Sequence, residues 1–161
     1  MRIIGIDPGL LRTGYACLEV ASGGGVRVLD AGIFRLSARQ PIPHRLKELD
    51  TDLSALLEEW HPECMAVERV FSHSAHVRTA IVMAHARGVV LLAAARAGLA
   101  IYELAPASIK MAIAGTGAAT KRQMQLAVAA QCGLARPPSP PDVADAIAIA
   151  LAQARRSGAL R

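Results

Sequence analysis

The sequence predicts an α/β domain, and three observations carry the prediction. Short apolar runs of strand type, punctuated by glycine and proline, fill the first part of the chain and return near residues 64 and 101. Between and after them lie longer stretches whose apolar residues recur at helical spacing. The core-forming residues are aliphatic and small, since 53% of the chain is hydrophobic but only 3% aromatic, which suits close packing of helices on a sheet. One domain is expected to span residues 1–161, with neither internal repeats nor a linker long enough to divide it. A chain of this length buries roughly 68–70% of the surface its unfolded form exposes, enough for a core without staples.

The elements follow in order. Arg2 to Asp7, Thr13 to Val20 and Val26 to Phe34 read as strands of a meander, turned at Pro8-Gly9 and at the glycines 23 to 25. Pro43 opens a helix in which Leu46, Leu49, Leu53, Leu56 and Leu57 share a face while Lys47, Glu48, Asp50, Asp52, Glu58 and Glu59 meet water, and His61-Pro62 ends it. Cys64 to Val67 suits a buried strand that delivers Glu68 at its C-terminal end. A long Ala-rich helix, about 75 to 97, is stopped by Gly98; its small-residue face is available to the sheet, to a second subunit, or to both. Ile101 to Leu104 is a further strand, Pro106 starts a short helix, and a Gly115-Thr116-Gly117 loop leads to a helix from near Thr120 to Gly133. Four prolines between 137 and 141 stiffen the approach to the last helix, with Pro141 suited to its first position.

Charge is regional. The net charge is +5, yet residues 1–68 carry seven basic and ten acidic side chains, whereas residues 69–141 carry eight basic ones and a single acid, Glu103. A block of this sign fits a polyanionic partner, because Lys and Arg contacts to phosphates release counterions; solubility alone is the plainer alternative. Cys17, Cys64 and Cys132 lie in apolar runs without metal-ligand spacing and read as buried free thiols in a reducing compartment. The chain starts directly in a strand, and its most apolar stretch, 79 to 101, is interrupted by His85, Arg87 and Arg96, so a cytoplasmic protein without membrane association is expected.

Four carboxylates in this basic chain carry the chemistry. Asp7 ends an apolar strand, at the sheet edge where open sheets place ligands, although an Asp before Pro-Gly also shapes turns. Glu68 closes another apolar run, a costly place for an acid that is neither solvated, paired nor metal-bound; Arg69 is one available partner. Asp142 and Asp145 stand at i and i+3 on one helix, where like charges repel. Asp142 has a second explanation as a first-turn residue favoured by the helix dipole, whereas Asp145, among Ala144, Ala146 and Ile147, does not. If strand ends converge on one rim, these acids meet despite separations of up to 138 positions. An all-oxygen set then selects a hard cation, Mg²⁺ or Mn²⁺, and two such ions serve phosphodiester hydrolysis. Lys110 and Lys121, flanking the GTG loop, are placed to hold a phosphate or offset its developing charge, or else are ordinary solvated lysines. His73 and His76 read as surface residues more readily than as ligands to metal or phosphate.

Taken together, GIDPG with Thr13-Gly14-Tyr15, the Glu68-x-x-Phe71 pair, Ala86-Arg87-Gly88, the IKMAIAGTGAATK segment and D-x-x-DAIAIA from Asp142 resemble the RuvC family of Holliday-junction resolvases, in order and over nearly the whole chain. The resemblance implies a ribonuclease H-like α/β fold with a mixed five-stranded sheet flanked by helices on both sides. It also implies a homodimer with two active sites, a branch-migration complex as partner, and a role in homologous recombination and DNA repair. By the same resemblance Asp7, Glu68, Asp142 and Asp145 are the catalytic metal ligands. Lys110 and Lys121 become the basic residues beside them, and Phe71 an aromatic that stacks on bases. Arg69 and Arg122, next to these positions, are assigned to DNA contact. Leu10 and Leu11, Ala16 and the stretch Ser72 to Val77 depart from the family's pattern.

The expected activity is a metal-dependent endonuclease that nicks opposing strands of a four-way DNA junction, leaving 5′-phosphate and 3′-hydroxyl ends. Two other readings compete. A junction-shape-binding protein without catalysis fits the basic block but leaves the four acids unused. An actin-like or sugar-kinase phosphotransferase shares the opening strand-Asp-x-Gly but requires a second Gly-rich phosphate loop, which the sequence lacks.

Overall fold

The computed structural model describes residues 1–69 and 77–160. Its elements run β1 (Arg2–Asp7), β2 (Arg12–Val20), β3 (Val26–Arg35), α1 (Ile42–Trp60), β4 (Cys64–Glu68), α2 (Val77–Arg96), β5 (Ala100–Leu104), α3 (Pro106–Ala114), α4 (Lys121–Gln131) and α5 (Pro141–Arg156). The five strands form one mixed sheet in the order β3-β2-β1-β4-β5, as expected. The first three form the antiparallel meander, and β4 and β5 add in parallel beyond β1 through helical crossovers. Asp7, Arg12, Arg35 and Glu68 therefore lie at one end of the sheet.

Strand alternation divides the interior. Ile4, Ile6, Met65 and Val67 pack with Leu53, Leu56 and Leu57 of α1 and with Val90, Ala93 and Ala94 of α2. Ile3, Ala16, Leu18, Ala66 and Leu104 point to the other face, beneath α3, α4 and α5. Each leucine that α1 buries stabilises the fold by about 1.5–3 kcal/mol in gross transfer terms, and Leu49, Leu53, Leu56 and Leu57 are all buried. That apolar stripe, rather than a cap, holds α1, whose N-terminus has no side-chain cap bond.

The helix ends follow local chemistry. His61 closes α1 at a left-handed φ of 46°, and Gly98 follows α2 at φ 68°. Thr120 starts α4 through a capping box, its hydroxyl accepting from the Gln123 amide while Gln123 Oε1 accepts from the Thr120 amide. Helix α2 is described over Val77–Arg96, and the start expected near residue 75 lies outside the described residues. One sequence expectation shifts: Cys132 is half-buried whereas Cys17 and Cys64 are buried. The last thiol sits at the C-terminal end of α4, where the helix leaves the core.

Candidate active site

Period-2 alternation sets the first two acids. Ile3, Gly5 and Asp7 share the α5 face of β1, and Cys64, Ala66 and Glu68 share that face of β4. The parallel ladder pairs Ile6 with Val67, so the next step along both strands brings Asp7 beside Glu68. The turn after Asp7 is pinned by Thr13, a fully buried hydroxyl that donates to the Gly9 carbonyl at 2.6 Å and accepts from the Gly9 amide at 3.3 Å.

The second pair of acids arrives on α5, seated almost backbone to backbone on β1 and β2. A Cβ on Gly5 would stand 2.3 Å from the Ala146 carbonyl oxygen, and one on Gly14 would stand 2.3 Å from that of Asp142. Gly14 is the β2 partner of Asp7. Two missing side chains thus let the first turns of α5 settle over the strand end that carries Asp7. Proline at the start of α5 fixes the entry, and from Val143 to Ala154 nearly every residue is buried.

Asp7, Glu68 and Asp145 line one cavity of about 290 Å³ together with Lys110 and Lys121, floored by Ile109 and Met124. Lys121 Nζ lies 3.8 Å from Asp145 Oδ2. Asp142 is half-buried in the first turn of α5 and does not line the cavity, although its charge is felt by Asp7 and Asp145. Burial, then the charges of Glu68, Asp145 and Asp142, push the Asp7 carboxyl from its ordinary 3.8 up to about 7, and Lys121 opposes them. Burial also raises Glu68, with Asp145 adding to the rise and Lys110 and Lys121 opposing it. For Asp145 burial again dominates, opposed by Lys121 and Lys110 and reinforced by Asp142. Three acids raised at once, despite two nearby lysines, make a site short of positive charge.

That shortage is what a divalent cation relieves, and the donors are hard oxygens. Among the described residues no group of three His, Cys, Asp or Glu side chains is arranged to hold a metal ion. The residues therefore fit an ion that takes the rest of its shell from water or phosphate oxygens, as Mg²⁺ does.

The remaining sequence-derived candidates separate. Arg69 forms no ion pair with Glu68 among the described residues; its amide donates to the Leu104 carbonyl at 2.8 Å, and it lines a neighbouring cleft of about 740 Å³ with Arg155 and Arg156. Arg122 is exposed on α4 beside Lys121 but outside the carboxylate cavity. Phe71, His73 and His76 lie outside the described residues. Sequence reasoning quoted Gly5 and Thr13 within motifs but gave neither a positioning role. For Gly5 the sequence signal is a glycine inside a strand, which marks a close backbone approach.

A family model described as crossover junction endodeoxyribonuclease RuvC matches residues 3–153. A crossover junction endodeoxyribonuclease RuvC of Chloroflexus aggregans is 45% identical over 154 residues, covering 96% of this chain and 93% of the relative. The solved structure of Thermus thermophilus RuvC in complex with Holliday junction substrate superposes with a TM-score of 0.91 at 34% identity, over 99% of this chain and 97% of that one. The yeast mitochondrial Holliday junction resolvase Ydc2, at 15% identity and a TM-score of 0.65 over 98% of this chain and 81% of that one, shares the fold. The sheet order, the carboxylate rim and these likenesses lead to one conclusion: the chain belongs to the RuvC family of crossover junction endodeoxyribonucleases.

Proposed function

We infer that this protein is a Holliday-junction-resolving endonuclease acting in recombination and repair, with Asp7, Glu68, Asp145 and Asp142 as its carboxylate set. The observation that carries the reading is the convergence of Asp7, Glu68 and Asp145 with Lys110 and Lys121 in one cavity at the sheet rim. The family's nucleases depend on divalent metal. Here Mg²⁺ or Mn²⁺ would be held by Asp7, Glu68 and Asp145, with Asp142, one helical turn before Asp145, as the fourth of the set. A pair of such ions supplies activation of water and charge stabilisation at the attacking and departing oxygens of a phosphodiester.

The chain's own residues do the rest. The carboxylates fix position, because each is carried by a strand end or a buried helix rather than by a mobile loop. Lys110 and Lys121 approach from α3 and α4 and meet the phosphate's negative charge. Ile109 and Met124 wall one side of the cavity and lower the local dielectric, which strengthens both effects. Arg69, Arg122 and Phe71 are assigned to the DNA beyond the scissile phosphate.

Paired cuts in a junction need two sites related by symmetry, so the working form is a homodimer. Helix α2 supports this reading, since Ile81 and Leu92 are 53% and 48% exposed and the same outer side carries Ala84, His85, Gly88 and Ala95. A branch-migration complex would deliver the junction. No helix is long and apolar enough to cross a membrane, and the buried free thiols Cys17 and Cys64 support work in the reducing cytoplasm.

The test is a labelled synthetic four-way junction incubated with the protein and Mg²⁺ or Mn²⁺, then with Asp7→Asn. Paired symmetric nicks are expected from the parent, and at least a hundredfold loss from the variant while junction binding survives. Equal cutting by Asp7→Asn removes Asp7 from the site. Binding without cleavage in either metal makes the protein a junction binder only.

A further inference from the structure

Within the acidic N-terminal part of the chain the fold assembles a basic pair beside the carboxylates. Arg12 opens β2 and Arg35 closes β3, and the two are direct cross-strand partners. Alternation puts Arg12 on the same face as Gly14 and Ala16, and Arg35 on that of Ile33 and Ala31, which is the face covered by α5. Just beyond them the Leu36 amide donates to the Leu11 carbonyl at 3.1 Å, so the ladder continues past the pair and holds it in register. Both arginines are exposed, and neither makes an ion pair or side-chain hydrogen bond among the described residues. Like charges directly opposite each other on a sheet are destabilising. Among the described residues no acidic side chain pairs with either arginine, and an anion across the pair would offset the repulsion.

The position says which anion. Strands lie about 4.8 Å apart, so Arg12 stands about one strand spacing and Arg35 about two from β1, on the side of Asp7 away from Glu68. Lys110 and Lys121 occupy the cavity that Asp7 shares with Glu68. The acids are therefore bracketed by lysines on one side and arginines on the other, along the rim a DNA strand must follow if its phosphate is cut between them. We propose that Arg12 and Arg35 form a second phosphate-binding subsite, which grips the backbone of the cleaved strand on the β2–β3 side of the scissile phosphate. This rests on the nuclease reading above and adds a direction to it: the strand crosses the sheet rim from α3 and α4 toward β3.

The subsite is tested by binding rather than turnover. Fluorescence anisotropy would follow a labelled four-way junction in EDTA across a salt series, for the parent, for Arg12→Gln/Arg35→Gln, and for Arg27→Gln/Arg96→Gln. The last variant removes equal charge at the opposite end of the sheet, where Arg27 pairs with Glu19 and Arg96 with Asp50. The rim variant should bind about tenfold more weakly, with a log–log salt slope shallower by about 1 to 2, and the control should change little. Junctions carrying neutral methylphosphonates at single positions add a geometric readout. Substitution on one side of the cut should weaken the parent but not the rim variant. A rim variant that matches the parent, or a control that loses as much as the rim variant, overturns the subsite while leaving the nuclease reading intact. A parent that binds no junction overturns both.

Discussion

Asp7 sits where three other carboxylates crowd it, and its burial makes the crowding costly. With its carboxyl raised to about 7 from an ordinary 3.8, the folded protein holds a proton there that the unfolded chain releases. Stability of the metal-free protein therefore falls as pH rises from about 4 through 7 and stays low above it, the reverse of a salt-bridged aspartate. Asp7→Asn removes the penalty. In EDTA the variant should be more stable than the parent above pH 7, by on the order of 2–4 kcal/mol, with the gap closing toward pH 4. Urea unfolding at several pH values measures this, and a gap that does not change with pH contradicts the shift. The same proton competes with a divalent ion, so Mg²⁺ should raise the parent's melting temperature more at pH 8 than at pH 6, and raise that of Asp7→Asn less.

The element that decides the site is α5. Its register over the sheet is set by Gly5 and Gly14, each facing a helix carbonyl that would lie 2.3 Å from an added Cβ. Gly14→Ala must lift the first turn of α5, which carries Asp142 and precedes Asp145, or else bend β2. We expect a stability loss of about 1–3 kcal/mol together with a weaker Mg²⁺ response. Gly23→Ala, at a turn glycine with nothing within 4 Å of the added Cβ, should leave both unchanged. Calorimetry with and without Mg²⁺ distinguishes them, and an intact metal response in Gly14→Ala would show that the seat of α5 does not position the acids. Helix α4 acts on the other side of the cavity. Its capping box holds the first turn, so Lys121 projects from a defined helix start rather than from the preceding loop.

Across the whole molecule the charge has an anatomy. The single acid of residues 69–141, Glu103, pairs with Arg87 at 2.7 Å, while Lys110 and Lys121 line the carboxylate cavity and Arg122 stands exposed beside them. The outer side of α2 is the apolar counterpart of that charged rim. If it is the dimer face, Ile81→Asp with Leu92→Asp should convert a dimeric parent into a folded monomer in sedimentation velocity, and the monomer should lose coordinated double nicking more than single nicks. A parent that sediments as a monomer, or a variant that remains dimeric, removes α2 from the interface.

The strand runs, the helix limits to within a few residues, and the three acids that the fold brings into one cavity, Asp7, Glu68 and Asp145, were legible in the sequence. Each depends on alternation, helical spacing or end chemistry acting over a few neighbours. Alternation even predicts that Asp7 and Glu68 share a face once β1 and β4 are paired. What the sequence could not show is set by contacts between distant segments. Only the folded chain seats α5 on Gly5 and Gly14 so that Asp145 enters the cavity while Asp142 stays outside its lining, and sends Arg69 to a separate cleft. Counting charge along the chain assigned the DNA grip to residues 69–141, because the segment before it is acidic in sum. Pairing β2 with β3 extracts Arg12 and Arg35 from that sum and places them on the rim, since antiparallel register, not sequence proximity, decides which charges stand together.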